Sequence, residues 1–207
     1  MRNHRIAKRR AVFLDRDGVI NEILFHREMG IIETPFTARQ LRIKKGVSKA
    51  IRQINRMGFK AIVVSNQPGV AMRHFSKKTL SDITQKMISE LGKGGAFLDD
   101  IFYCLHHPTK GTGPLKRSCP CRKPKPGLFF QAARKHHIDL KHSYMVGDSI
   151  IDVQAGNQAG CKTVLLAHLK CDLCHLMSKR GIKPDYTVDD LAAAVNQIRR
   201  HAVKRKT

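Results

Sequence analysis

Short apolar runs alternate with stretches of helical periodicity along most of the chain. Ala11-Val12-Phe13-Leu14 is uninterrupted by polar residues and halts at Asp15-Arg16-Asp17-Gly18-Val19-Ile20-Asn21. A run that short and unbroken predicts a strand buried on both faces. Gly46 to Met57 sets Val47, Ala50, Ile51, Ile54 and Met57 at helical spacing, and Gly58 follows where a helix end favours glycine. Phe59 to Val64 predicts a second strand, ending at Ser65-Asn66-Gln67. A helix from about Ser76 to Leu91 carries Leu80, Ile83, Met87 and Leu91 on one face; Gly92-Lys93-Gly94-Gly95 then reads as its terminating loop. Asp100 to Tyr103 predicts a third strand, and about Gly127 to His137 a helix whose His136-His137 end is solvated. Tyr144 to Val146 predicts a fourth strand ending at Gly147-Asp148, Ile150 to Gln158 a helix, and Lys162 to Ala167 a fifth strand. Pro184-Asp185-Tyr186 allows a short sixth. Thr187-Val188-Asp189-Asp190 has the S/T-x-x-D/E form that opens a last helix. Glu22 to Arg42 has no clear period and reads as an irregular flap just beyond the first strand tip.

Strands alternating with helices imply an α/β fold, a central parallel sheet with helices on both faces. Ligands of such sheets bind beyond the carboxyl ends of the strands. That rule collects Asp15 and Asp17, Ser65 and Asn66, and Asp148 at one edge, although they are far apart in sequence. The 207 residues are enough for one domain, expected over residues 11–200, between basic tails at 1–10 and 201–207.

Charge and composition narrow the classes. Lys and Arg number 39 against 16 Asp and Glu, a net charge of +23. This surplus attracts phosphorylated small molecules and, non-specifically, nucleic acid. With three Tyr and no Trp, there is no basic segment interleaved with aromatics to stack bases. No apolar run nears the ~18 residues of a membrane span, and the N-terminus has no apolar signal core. A cytoplasmic protein is therefore the expectation, taken to be a monomer. Six cysteines without a secretory signal point to metal or free thiols rather than disulfides.

The converging residues suggest a chemistry. Asp15 and Asp148 could share a divalent cation, with a phosphate completing its shell; magnesium prefers that mixture of carboxylates and phosphate oxygens. Ser65 and nearby backbone N–H groups could hold phosphate oxygens, and Arg122-Lys123 could neutralise them. Asp15-Arg16-Asp17-Gly18, Ser65-Asn66, Lys123 and Gly147-Asp148-Ser149-Ile150-Ile151-Asp152 together resemble the four motifs of the haloacid dehalogenase superfamily, in order. The resemblance implies a Rossmann-like sheet with a minimal cap and a phosphomonoesterase mechanism. Asp15 would be the nucleophile, and Asp17 the acid and base, its backbone carbonyl also reaching Mg²⁺. Ser65 would bind phosphate, Lys123 would neutralise charge, Asp148 would ligate the metal, and Asp152 would support it from behind.

Cys104-Leu105-His106 and Cys119-Pro120-Cys121 supply three thiolates and one imidazole, a closed tetrahedral set for structural zinc. His107 is an alternative ligand. Such an ion would pin the 104–121 loop and, through it, Arg122-Lys123. Within the superfamily, C-x-H…C-x-C-R-K-P resembles the heptose-bisphosphate and histidinol-phosphate phosphatases. The twelve residues between His106 and Cys119 resemble the heptose group. The implied substrate is a small phosphorylated sugar, foremost the 7-phosphate of a heptose 1,7-bisphosphate; histidinol phosphate or another small phosphorylated metabolite is the alternative, and a basic nucleic-acid-binding protein on the same scaffold is the rival from another class. Asn66, Arg122 and Arg73 would contact the substrate. Gly69-Val70-Ala71-Met72-Arg73 departs from the group's G-[IV]-[AG]-R-G, the flap lacks its G-Y-[VI], and Ser149 stands where many relatives are basic. Cys171-Asp172-Leu173-Cys174-His175 matches a haem-attachment string, yet with no export signal it reads as free thiols.

Overall fold

The computed structural model describes residues 8–26, 31–166 and 181–203. A six-stranded sheet is built from β1 (Ala11–Leu14), β4 (Lys60–Asn66), β5 (Asp100–Cys104), β6 (Tyr144–Gly147), β7 (Lys162–Leu166) and β8 (Tyr186–Val188). Its order is β5-β4-β1-β6-β7-β8, and every neighbouring pair is parallel. The chain leaves β1 for one side, reaching β4 and β5, and then returns to the other side for β6 to β8. That reversal beside β1 opens a crevice at the strand ends, where this class of sheet binds ligands.

Side chains of β1 alternate between two cores. Val12 and Leu14 pack beneath α1 (Val47–Arg56), α2 (Lys77–Lys93) and α5 (Leu191–Val203), whereas Ala11 and Phe13 face α3 (Gly127–His136) and α4 (Ile150–Ala159). All four are fully buried, which is why the run carries no polar interruption. Phe13 meets Phe129 of α3 edge-on with ring centroids 4.9 Å apart, a preferred aromatic geometry.

Four expectations need correction. The flap is not wholly irregular: β2 (Leu24–His26) and β3 (Ile31–Glu33) form a two-stranded antiparallel ribbon. Three-residue strands are too short to declare a period. Thr187 does not open the last helix but pairs with Leu165 in β8; Asp190 caps α5, accepting a hydrogen bond from the Ala193 N–H at 2.7 Å. Sheet pairing outweighs the local capping pattern. The boundaries of the basic tails shift. Arg9 bonds His137 and Asp139 through its backbone, Arg10 lies 4.3 Å over the Phe59 ring, and α5 runs on to Val203, past the expected boundary at 200. His136 is not merely solvated, since its Nε2 meets Asp100 Oδ2 at 2.6 Å. The Cys171–His175 string lies outside the described residues.

Candidate active site

Leu14 pairs with Val63 of β4 and Val146 of β6, so the residues that follow these three meet at one edge. Asp15, Asp17, Ser65, Asn66, Lys123 and Asp148 line a single cavity of about 350 Å³, together with Ile23, Thr34 and Ile151. Six of the predicted site residues are thus brought together. The flap contributes Ile23 and Thr34, and the start of α4 contributes Ile151; periodicity gave no sign of these three.

The ammonium of Lys123 is the centre of the arrangement. It lies 2.9 Å from Asp15 Oδ1 and 2.5 Å from Asp152 Oδ1, and donates to the Val64 carbonyl at 2.9 Å. Burial alone would lower its pKa, but Asp15 and Asp152 outweigh burial and hold it above the usual lysine range. Asn66 fixes the lysine backbone from both sides: Nδ2 donates to the Lys123 carbonyl and Oδ1 accepts from the Lys123 N–H, each at 3.0 Å. Asn66 therefore supports Lys123, a different use from the substrate contact expected of it.

Asp152 is fully buried, and both its oxygens are engaged. Oδ1 meets Lys123, while Oδ2 accepts from the Ser149 N–H at 3.1 Å and hydroxyl at 2.6 Å, capping α4. The aspartate that ends the fourth motif thus ties the helix start to the lysine. A Cβ on Gly147 would come 2.2 Å from Asp152 Cβ, so this close approach needs glycine.

Oxygens of Asp15, Asp148 and Asp152 all lie within 4.8 Å of one another. Burial, followed by repulsion from Asp15 and Asp152, pushes the Asp148 carboxyl up to about 7. One lysine among three carboxylates leaves negative charge in excess, and Asp15 Oδ1 is buried with no aligned hydrogen-bond donor. This donor set fits a hard divalent cation. Gly18 makes room for it: its φ is +81°, and a Cβ there would lie 1.8 Å from Asp148 Oδ2. Gly18→Ala is expected to displace Asp148, cut activity at least about tenfold and cost roughly 1–2 kcal/mol from the left-handed backbone. Steady-state rates and urea denaturation check both effects.

The Asp17 side chain takes no part in that cluster. Arg16, fully buried, donates from Nε and Nη2 to Oδ1 at 3.1 and 3.0 Å, and Asn21 Nδ2 adds a third donor at 3.0 Å. Gln67 Nε2 reaches Oδ2 at 2.8 Å and also Ser65 Oγ at 3.1 Å. Gln67 closes the second motif in sequence, but only the fold brings it to Asp17. Arg73 and Arg122 do not line the cavity. Arg73 is exposed with φ +59°, and the Arg122 Nη1 donates to the His106 carbonyl at 3.0 Å.

Beside the cavity, Cys104, His106, Cys119 and Cys121 converge. Their S···S separations are 3.2–3.5 Å, and His106 Nδ1 is 3.7 Å from Cys104 Sγ and 3.5 Å from Cys121 Sγ. A tetrahedron with Zn–S near 2.3 Å and Zn–N near 2.0 Å has S–S edges of roughly 3.8 Å and S–N edges of roughly 3.5 Å, so the four atoms, their sulfurs drawn slightly together, are arranged as a zinc ion would need them. His107 takes another part, its Nδ1 accepting from the backbone of Thr109 and Lys110.

Comparison with known proteins agrees with this geometry. A HAD-hydrolase-like family model matches residues 120–194. The D-glycero-beta-D-manno-heptose-1,7-bisphosphate 7-phosphatase of Haemophilus ducreyi is 39% identical over 159 residues, covering 76% of this chain and 82% of the relative. The protein of that name from Vibrio cholerae is 39% identical over 156 residues, covering 75% and 80%. The chain belongs to this family of HAD phosphatases. Among solved structures, a D,D-heptose 1,7-bisphosphate phosphatase from B. bronchiseptica, complexed with magnesium and phosphate, aligns with a TM-score of 0.76 and 30% identity, covering 93% of this chain and 99% of that one. The six-stranded parallel sheet is thus the HAD phosphatase sheet. No helix among the described residues is long and apolar enough to cross a membrane.

Proposed function

We propose that this HAD phosphatase removes the 7-phosphate of a D-glycero-D-manno-heptose 1,7-bisphosphate by way of an aspartyl-phosphate on Asp15. The observation that carries the reading is the Lys123 ammonium held between Asp15 and Asp152, at the edge where Ser65 and Asp148 also line the cavity. An Asp15 oxygen attacks phosphorus while the bond to the sugar oxygen breaks, and the electron pair leaves with that oxygen. Asp17 supplies the proton the departing alkoxide needs. Asp17 then takes a proton from water; the water oxygen attacks the phosphorus on Asp15, releasing phosphate and restoring the carboxylate. Throughout, Lys123 balances charge on Asp15 and the phosphoryl oxygens, and the Ser65 hydroxyl donates to one of them.

Asp15, Asp148 and the Asp17 backbone carbonyl would hold Mg²⁺, which supplies positive charge for the phosphoryl oxygens. Zinc on Cys104, His106, Cys119 and Cys121 would have no open position and would serve structure alone. The relatives named for heptose 1,7-bisphosphate support the choice of sugar, as does the His106-to-Cys119 spacing.

Phosphate release from the two anomers of the heptose bisphosphate, histidinol phosphate and common sugar phosphates, measured with Mg²⁺ present, tests the assignment. The heptose bisphosphate is expected to give the highest kcat/KM. A tenfold preference for histidinol phosphate or another ester would overturn the choice of sugar, and no phosphate release from any of them would overturn the reaction.

A further inference from the structure

Gln67 has no part in the mechanism above, yet its side chain bridges two groups that do. Its Nε2 lies 2.8 Å from Asp17 Oδ2 and 3.1 Å from Ser65 Oγ, and the residue is 1% exposed. Its backbone N–H donates to the Cys104 carbonyl at 2.7 Å, which fixes the residue at the joined ends of β4 and β5. The other donors to Asp17, Arg16 and Asn21, sit on the same tight turn as Asp17 itself. Among the described residues, Gln67 alone is seen donating to Asp17 from another element.

The chemistry fixes which way the amide faces. Exchanging Nε2 for Oε1 would set a carbonyl oxygen 2.8 Å from a carboxylate oxygen, so the NH₂ group must face Asp17. The same NH₂ then donates to Ser65 Oγ, and the serine hydrogen is turned away from Gln67, free for a phosphoryl oxygen in the cavity. One amide thereby joins Arg16, whose Nη2 also reaches Asp17 Oδ2 at 3.0 Å, in holding Asp17 and at the same time sets the direction of the Ser65 hydroxyl.

We infer that Gln67 is a positioning residue that aligns Asp17 with the departing oxygen and aims Ser65 at the phosphoryl group. The inference rests on the phosphatase reading given above. It predicts a loss that depends on the leaving group. An alkoxide needs the proton from Asp17, whereas 4-nitrophenolate leaves without one. Misaligning Asp17 therefore slows phosphoryl transfer from alkyl esters selectively, while misdirecting Ser65 slows transfer from both kinds of ester; hydrolysis of the phosphoryl-Asp15 they share is slowed alike for both.

The test compares Gln67→Met and Gln67→Glu with the wild-type holoenzyme in Mg²⁺, using its best alkyl phosphate and 4-nitrophenyl phosphate. Gln67→Met keeps the length of the side chain and removes the donor. Gln67→Glu, buried against the Asp17 carboxylate, repels it or shares one proton with it, and so misplaces Asp17 by charge if Gln67→Met does not fold. The expected result is a fall in kcat/KM, which reports the transfer step apart from the shared hydrolysis, of about a hundredfold on the alkyl ester and of about tenfold or less on the aryl ester. Equal losses on both esters would overturn the alignment of Asp17 by Gln67, and no loss on either would overturn its role altogether; both leave the phosphatase reading intact. A wild-type protein inactive on both esters would overturn the reading itself.

Discussion

Asp15→Asn is expected to abolish hydrolysis, lowering kcat roughly a thousandfold or more, with the fold unchanged. An amide oxygen is a far weaker nucleophile than a carboxylate, and among the described residues of the cavity none is free to take its place, Asp148 being the side chain that would hold the metal. Asp17 is tied up by Arg16, Asn21 and Gln67, while Asp152 is occupied by Lys123 and Ser149. The fold should survive because Lys123 keeps its 2.5 Å partner Asp152 and its bond to the Val64 carbonyl. The variant also has one carboxylate fewer among three that crowd within 4.8 Å, so relieved repulsion offsets part of the lost ion pair. Rapid quenching with labelled substrate should find phosphoryl groups on the wild-type protein and none on the variant, while thermal unfolding shows intact cooperativity. Appreciable turnover by Asp15→Asn would rule out the covalent route.

Much of this was legible in the sequence because the sheet is buried on both faces. Four apolar residues at 11–14 and the run at 59–64 admit few readings, and parallel strands bring their tips to one edge. Strand ends were therefore enough to group Asp15, Ser65 and Asp148. What stayed hidden depends on side-chain direction rather than on strand order. Asn66 and Gln67 are neighbours at the end of one strand, yet Asn66 clasps the Lys123 backbone and Gln67 turns to Asp17. The pleat sends them apart, and no pattern in the sequence names their partners. The role of Asp152 had a visible trace, the Ser149-x-x-Asp152 spacing of a capping box, but its bond to Lys123 spans 29 positions.

The arginines are a different case. Arg122 and Arg73 were expected at the substrate because of the segments they occupy, and neither lines the cavity. Arg122 supports the loop through the His106 carbonyl, and Arg73 takes a left-handed backbone on the exposed turn after β4. Arg16, which local pattern marks only as a polar interruption, is by contrast fully buried against Asp17. Burial of a charge is decided by its partner, and here that partner is the adjacent residue.

Cys119→Ser is expected to empty the cysteine–histidine cluster and lower kcat about a hundredfold without touching the nucleophile. The cluster has two mechanical links to the cavity. Cys121 is two residues before Lys123, and the Cys104 carbonyl receives the Gln67 N–H at 2.7 Å. A serine at position 119 leaves two thiolates and one imidazole, with an alcohol too weakly acidic to replace the third thiolate. The 104–121 loop holds one short 3-10 turn and little buried apolar surface beyond the cysteines themselves, so without the ion it has little to keep it folded. Asn66 still clasps Lys123, which limits the lysine's displacement, but a shift near 1 Å at a catalytic group can cost about a hundredfold in rate. Metal analysis should find one zinc per wild-type chain and almost none in the variant. Trypsin should cleave the variant faster at Lys116 and Arg117, while far-ultraviolet circular dichroism retains the sheet and helices. A wild-type protein without zinc, or a zinc-free variant with full activity, would show that the loop holds Lys123 without a metal.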